Sequence, residues 1–223
     1  MKSVPSITGV LHLEFDTQFD LCHTMARISE FFESPFDQIK GFYFSWDTFN
    51  KVYHRYSAYG LDSYFTYYEG FNLPKKIIGE FFELFTDLTP EELKLKELIT
   101  SNPSEYMIAT FVGGDPSTLE HELAHARYTL EYKYRRLMVK TILEIPTNHF
   151  VMLKNDLKAA GYSGDSKLLM DEIHAYLLTS NEEELVDVFK SLDLSDLLFY
   201  QRKFNNNFKE YFLCATSNSS LQV

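Results

Sequence analysis

The five residues His121-Glu122-Leu123-Ala124-His125 carry the clearest chemistry in the chain. On a helix, positions i and i+4 share one face, so two imidazoles at this spacing can grip one ion. Zinc takes nitrogen and oxygen ligands tetrahedrally, and a catalytic zinc keeps one position for water. Glu122 sits beside the first histidine and leans the same way. It can take a proton from that water and pass it to a leaving amine. The plain alternative is a solvated helix face that carries His and Glu by chance. The neighbouring sequence favours the metal.

That neighbourhood reads as strand, turn and helix. Residues 106–112, YMIATFV, have the composition of a central strand. Gly113 and Gly114 free a turn, with some mobility at the edge of a site. Asp115 is a natural N-cap, and Pro116 falls where its missing N–H costs nothing. The helix then runs from Pro116 to about Tyr128 or beyond. Upstream, residues 7–15 alternate as a strand, and residues 18–32 have helical spacing through Leu21, Met25, Ile28 and Phe32 until Ser34-Pro35. Residues 41–44 and 64–68 read as aromatic strands, and residues 46–56 as a helix. Residues 73–85 read as another helix. A further helix opens at Pro90, where Thr89 and Glu92 form a capping box, and Asn102-Pro103 breaks it. Downstream the text is helical over 131–143, 147–160, 166–179, 182–191 and 194–212. The tail, ATSNSSLQV, reads as disordered.

These elements predict an α+β fold, mainly helical with a small sheet. The expected organisation is one domain over residues 1–212. It has an aromatic-rich α+β lobe over 1–112, and a motif helix and helical lobe over 113–212, around a cleft. Residues 213–223 form the tail. A net charge of -11 from 32 carboxylates against 21 Lys plus Arg argues against nucleic acid and against acidic membrane surfaces. No apolar run is long enough to span a bilayer, and the N-terminus lacks a secretory h-region. Cys22 and Cys214 lie far apart without a CxxC pair, so the expected setting is cytoplasmic and without disulfides. His12, His23, His54 and His149 share no ligand spacing and read as ordinary histidines.

The strand, the motif helix and a later helix together resemble the zincin metallopeptidases. The resemblance implies a zincin-like fold and a zinc ion. It also implies that the strand before the motif borders the cleft and pairs with substrate backbone, a position that residues 106–112 match. Arg127 departs from the pattern, which usually has an apolar residue there; a solvated arginine leaves the ligand spacing intact. The metzincin branch is excluded, because its glycine would fall at Tyr128 and its last ligand at Glu131. The gluzincin branch implies a glutamate from a downstream helix: Glu144, Glu172, or one of Glu182 to Glu184. Glu172 lies on the stripe of Leu169, Ile173 and Tyr176, where a carboxylate needs a partner such as zinc. Glu144 sits at a helix end, and the run at 182–184 suits a solvated first turn. His174, two residues from Glu172, points to the other side of a regular helix. Glu172 is therefore preferred, with His174 and Glu144 left open. Asp171 is a candidate to hold a ligand histidine N–H. Metallopeptidases also need an oxyanion donor, and Tyr176 and Tyr128 are candidates.

The expected function is zinc-dependent hydrolysis of peptide bonds. Glu122 and Tyr176 would be catalytic, and His121, His125 and Glu172 would hold the metal. The expected partner is a peptide or protein substrate. The alternative is a zinc-binding interaction or regulatory protein with the same fold and no turnover. A third, weaker option is a zinc hydrolase of a non-peptide amide.

Overall fold

The computed structural model describes residues 1–56 and 60–219, with side-chain surroundings given outside 56–63 and up to residue 213. The described chain is mainly helical with one small mixed sheet, as the α+β reading expects. Cα packing divides it into two compact units, Met1–Glu122 and Leu123–Val223. The division falls within a continuous helix. No described helix is long and apolar enough to cross a membrane.

The first unit contains β1 (Lys2–Val4), β2 (Val10–Phe15), α1 (Gln18–Glu33), α2 (Trp46–Tyr56), α3 (Gly60–Tyr67), β3 (Gly70–Pro74), α4 (Lys75–Leu84), α5 (Pro90–Ser101) and β4 (Tyr106–Phe111). The four strands pair in the order β1-β2-β4-β3. β2 and β4 are parallel, with Val10 opposite Tyr106, and the two outer pairs are antiparallel. β4 is thus central, and residues of both its faces, Tyr106 to Thr110, are buried, in keeping with its composition. One face presents Leu11, Leu13, Phe71, Leu73, Met107 and Ala109 to the core under α1 and α4. The opposite face carries Gly70, Asn72, Tyr106 and Thr110 by strand alternation. On that face His12 Nε2 meets Thr110 Oγ1 at 2.8 Å, so this histidine is a satisfied sheet residue.

Several elements differ from the sequence reading, each for a physical reason. Residues 41–44 form no strand; Gly41 turns at φ 77 and its N–H returns to Phe31 O at 2.8 Å. Tyr64 to Tyr67 end a helix, and Tyr68 follows it, although their β propensity is high. Tyr64 and Tyr68, one turn apart, bring their rings to 4.4 Å and pack on Phe71. The helix expected from Leu73 starts at Lys75, because Gly70–Pro74 is the short edge strand β3. Proline is tolerated there because an edge strand need not donate on both sides. β1 was not legible in three polar-flanked residues.

Cys22 is buried with a free thiol, pushed up to about 12 by that burial, so it is no nucleophile at neutral pH. The Cys214 side chain lies outside the described set. Glu30, buried in the same core, is pushed up to about 7 by loss of solvent, against hydrogen bonds from Ser34 and Tyr64. Its folded pKa thus exceeds its ordinary 4.5. The resulting stability is full below about pH 4.5 and is lost as pH rises through about 7. The expected loss is about 3 kcal/mol by pH 8. Urea unfolding across this range checks it: Glu30→Gln should flatten the slope, and an unchanged slope would refute the assignment.

The second unit holds the latter part of α6 (Pro116–Leu130), then α7 (Tyr132–Leu143), α8 (Thr147–Ala159), α9 (Ser166–Thr179), α10 (Glu182–Val188) and α11 (Leu194–Ser219). α9 is the central helix, touching α7, α8 and α11 around a core of Tyr134, Met138, Leu153, Leu169, Ile173, Leu177 and Phe204. α10 stops before the expected residue 191. α11 continues past residue 212 through Ser219, so the tail begins as helix; residues 220–223 lie outside the described residues.

Candidate metal centre

α6 begins where the turn chemistry places it. Gly113 has φ 88, and Asp115 Oδ1 accepts from Ser117 N at 2.8 Å and Ser117 Oγ at 2.7 Å. Glu69, just before β3, accepts from Asp115 N at 3.2 Å and Thr118 Oγ1 at 3.3 Å. These contacts fix the helix start against the residue that precedes the edge strand.

The helix then presents His121 and His125 one turn apart on one face. α9 is capped by Asp165, which accepts from Lys167 N and Leu168 N. It brings Glu172 to that face, with Oε2 3.7 Å from His125 Nε2. Ligand atoms of His121, His125 and Glu172 all lie within 4.8 Å of one another. His125 and Glu172 are buried and His121 half-buried. Ligands at ~2.1 Å from one tetrahedral ion stand ~3.4 Å apart, so the three need only a small contraction to share one. Two imidazole nitrogens and one carboxylate oxygen are the donor set zinc prefers at an open site. This group can hold a metal ion.

Asp171 lies behind His125. Its Oδ1 is 3.1 Å from His125 Nδ1 and 3.3 Å from His174 Nδ1. Burial pushes the Asp171 carboxyl up, but attraction to His125, with hydrogen bonds from His125 and His174, outweighs it and holds the group below its ordinary 3.8. An acceptor at Nδ1 leaves Nε2 of His125 as the ligating atom, the one that faces Glu172.

Glu122 is buried and oriented by β3. Its Oε2 accepts from Asn72 Nδ2 at 2.5 Å, while Tyr106 Oη donates to Asn72 Oδ1. The tyrosine thereby fixes the amide with its nitrogen toward the carboxylate. Gly70 completes the seat. A Cβ there would stand 2.7 Å from Glu122 Oε1 and 2.6 Å from Thr118 Cγ2, so a side chain at 70 would displace the carboxylate.

The other sequence candidates fall elsewhere. Glu144 is paired with Lys203 at 2.6 Å, and that hydrogen bond lowers its pKa. Residues 182–184 form the first turn of α10, capped by Asn181. His174 is fully buried, and its Nε2 meets Tyr134 Oη at 2.7 Å. Tyr176 shares a 2.7 Å hydroxyl pair with Tyr162 and sets its ring against Phe189. Tyr128 stacks on the His174 ring at 5.1 Å; burial first, then the Asp171 charge, pushes its phenol up to about 12, so it stays a donor. Arg127 is half-buried rather than free in solvent: it pairs with Glu131 at 3.2 Å and lies 4.7 Å over the Phe212 ring.

Two expectations need correction or addition. The strand expected to pair with substrate, β4, is hydrogen-bonded on both sides by β2 and β3. Its backbone has no edge to offer, and the edge strand beside Glu122 is β3. Asn72, Gly70 and Tyr106 were missed altogether. The one usable signal was Asn72, a lone amide between Phe71 and Leu73. No family model, curated protein or solved structure matches this chain.

Proposed function

We propose that the chain is a zinc-dependent peptidase. The observation that carries the reading is the convergence of His121, His125 and Glu172 to within 4.8 Å, next in sequence to a carboxylate with an orienting contact of its own. His121, His125 and Glu172 would hold the ion, with Asp171 fixing the His125 ring. When bound, zinc would polarise the scissile carbonyl and bring the pKa of water toward ~7. Glu122 takes the proton of the attacking water and delivers it to the departing amine. Asn72 keeps that carboxylate turned toward its work. The edge of β3 offers backbone groups to an extended peptide, and Gly70 and Asn72 place that edge beside Glu122.

Elemental analysis of the purified protein tests the site first. The expected result is one zinc per chain, lost in His125→Ala and in Glu172→Ala. Wild-type protein that retains no metal after zinc is added and excess removed would end this reading. Retention in Glu172→Ala would remove the third ligand from it.

A further inference from the structure

The hydrogen bonds behind His125 do not stop at Asp171. His174 Nδ1 reaches the same carboxylate oxygen at 3.3 Å, and His174 Nε2 meets Tyr134 Oη at 2.7 Å. Tyr134 and His174 are both fully buried. The roles along this chain are determined by what each group can donate. Asp171 only accepts, so His174 carries its proton on Nδ1. Its Nε2 is then an acceptor, and Tyr134 must donate to it. Burial pushes the Tyr134 hydroxyl far above its ordinary value, so it keeps the proton it donates.

A half-buried carboxylate with a single partner can rotate. One held at the same oxygen by two imidazoles cannot do so without stranding one of them, and stranding a buried polar group is costly. Packing reinforces the geometry. The His174 ring lies on Tyr128 at 5.1 Å and edge-on to Tyr134 at 5.5 Å.

We propose that Tyr134 and His174 are positioning residues for the metal. They anchor Asp171 so that His125 is held with Nδ1 protonated and Nε2 aimed at the ion. This rests on the metal reading above and extends it from α9 to α7, beyond the groups that touch a ligand. It also explains a fully buried histidine that would otherwise have no reason to sit in an apolar core.

The test compares zinc affinity, measured by competition with a chromophoric chelator, and the visible absorption of the cobalt-substituted protein. The proteins are wild type, Tyr134→Phe, His174→Phe and His174→Asn, with thermal unfolding measured in parallel. His174→Phe keeps a stacked ring and removes both hydrogen bonds; it is expected to weaken zinc by about 10- to 100-fold and to alter the cobalt spectrum. His174→Asn can still donate to Asp171 and should recover most of the affinity. Tyr134→Phe removes one hydroxyl and should cost about tenfold, the lower end of that range. Should His174→Phe not fold, Tyr134→Phe decides. Wild-type affinity and an unchanged cobalt spectrum in Tyr134→Phe or in folded His174→Phe would overturn the relay while leaving the metal site standing. A wild-type protein that binds neither metal would overturn the metal reading, and the relay with it.

Discussion

Glu122→Gln is expected to retain one zinc per chain and to lose peptide hydrolysis by about 10²- to 10⁴-fold, the range a positioned general base contributes. The substitution is close to silent for structure. Glu122 Oε2 accepts from Asn72 Nδ2, and a glutamine carbonyl can accept the same bond. Volume is unchanged, so the seat made by Gly70 still fits. What glutamine cannot do is take a proton from water. Wild type and variant would be loaded with zinc, checked for metal content, and incubated with a peptide library read by mass spectrometry. Equal cleavage by both proteins would remove Glu122 from the chemistry. Zinc held by a wild type that cleaves nothing would shift the balance to the alternative, a zinc-binding interaction protein. That outcome would leave the hold of Asn72 on Glu122 without a catalytic purpose.

The candidate metal centre was legible in the sequence because most of its parts are local. His121, Glu122 and His125 lie within two turns of one helix, and the spacing alone defines their shared face. Glu172 was among the glutamates the gluzincin resemblance implied, and it was preferred because a carboxylate lies there on the stripe of Leu169, Ile173 and Tyr176. Its placement 3.7 Å from His125 Nε2 follows that logic. The support around Glu122 was not legible, because it depends on strand pairing. Asn72 acquires meaning only when β3 lies antiparallel to β4, with Asn72 opposite Ile108 and Tyr106 one pair away. No periodicity within residues 70–74 announces that register. His174 shows the opposite case. The helical-wheel argument ranked it behind Glu172 as a ligand, and its ring reaches back to Asp171. A wheel predicts the direction of a Cβ, whereas an imidazole nitrogen lies far enough out to serve a neighbouring position.

The aromatic segments at 41–44 and 64–68 failed for a related reason. Aromatic residues favour strands chiefly through packing on a pleated surface. Here the packing is supplied by other rings. Phe44 meets Phe85 edge-on at 5.3 Å, and Tyr64 meets Phe49 at 5.6 Å. Once ring contacts satisfy these side chains, the backbone is free to turn or to wind as α3.

The same aromatic core surrounds an ion pair that fixes its largest expected sensitivity. Arg27 is fully buried on α1. Its Nε and Nη2 reach the two oxygens of Glu92 at 2.9 and 2.5 Å, and Glu92 is fully buried as well. Arg27 Nη1 also meets Asp87 at 3.1 Å, but that carboxylate is 40% exposed. The guanidinium lies 5.4 Å from the Trp46 ring and 5.2 Å from the Phe85 ring. Glu92 is also the capping-box partner of Thr89, whose N–H it accepts at 2.8 Å. Glu92→Gln separates these duties. Glutamine serves a capping box about as well as glutamate, so α5 keeps its start. The buried charge of Arg27 loses its buried counterion, and breaking such a pair costs about 3–5 kcal/mol. Asp87→Asn removes the exposed partner and should cost about 1 kcal/mol or less. Trp46 is the single tryptophan in the chain and lies against the guanidinium, so its fluorescence during urea unfolding reports this core directly. If Glu92→Gln proved no more damaging than Asp87→Asn, the buried pair would not be what holds α1 to α5, and the aromatic contacts alone would have to account for the burial of Arg27.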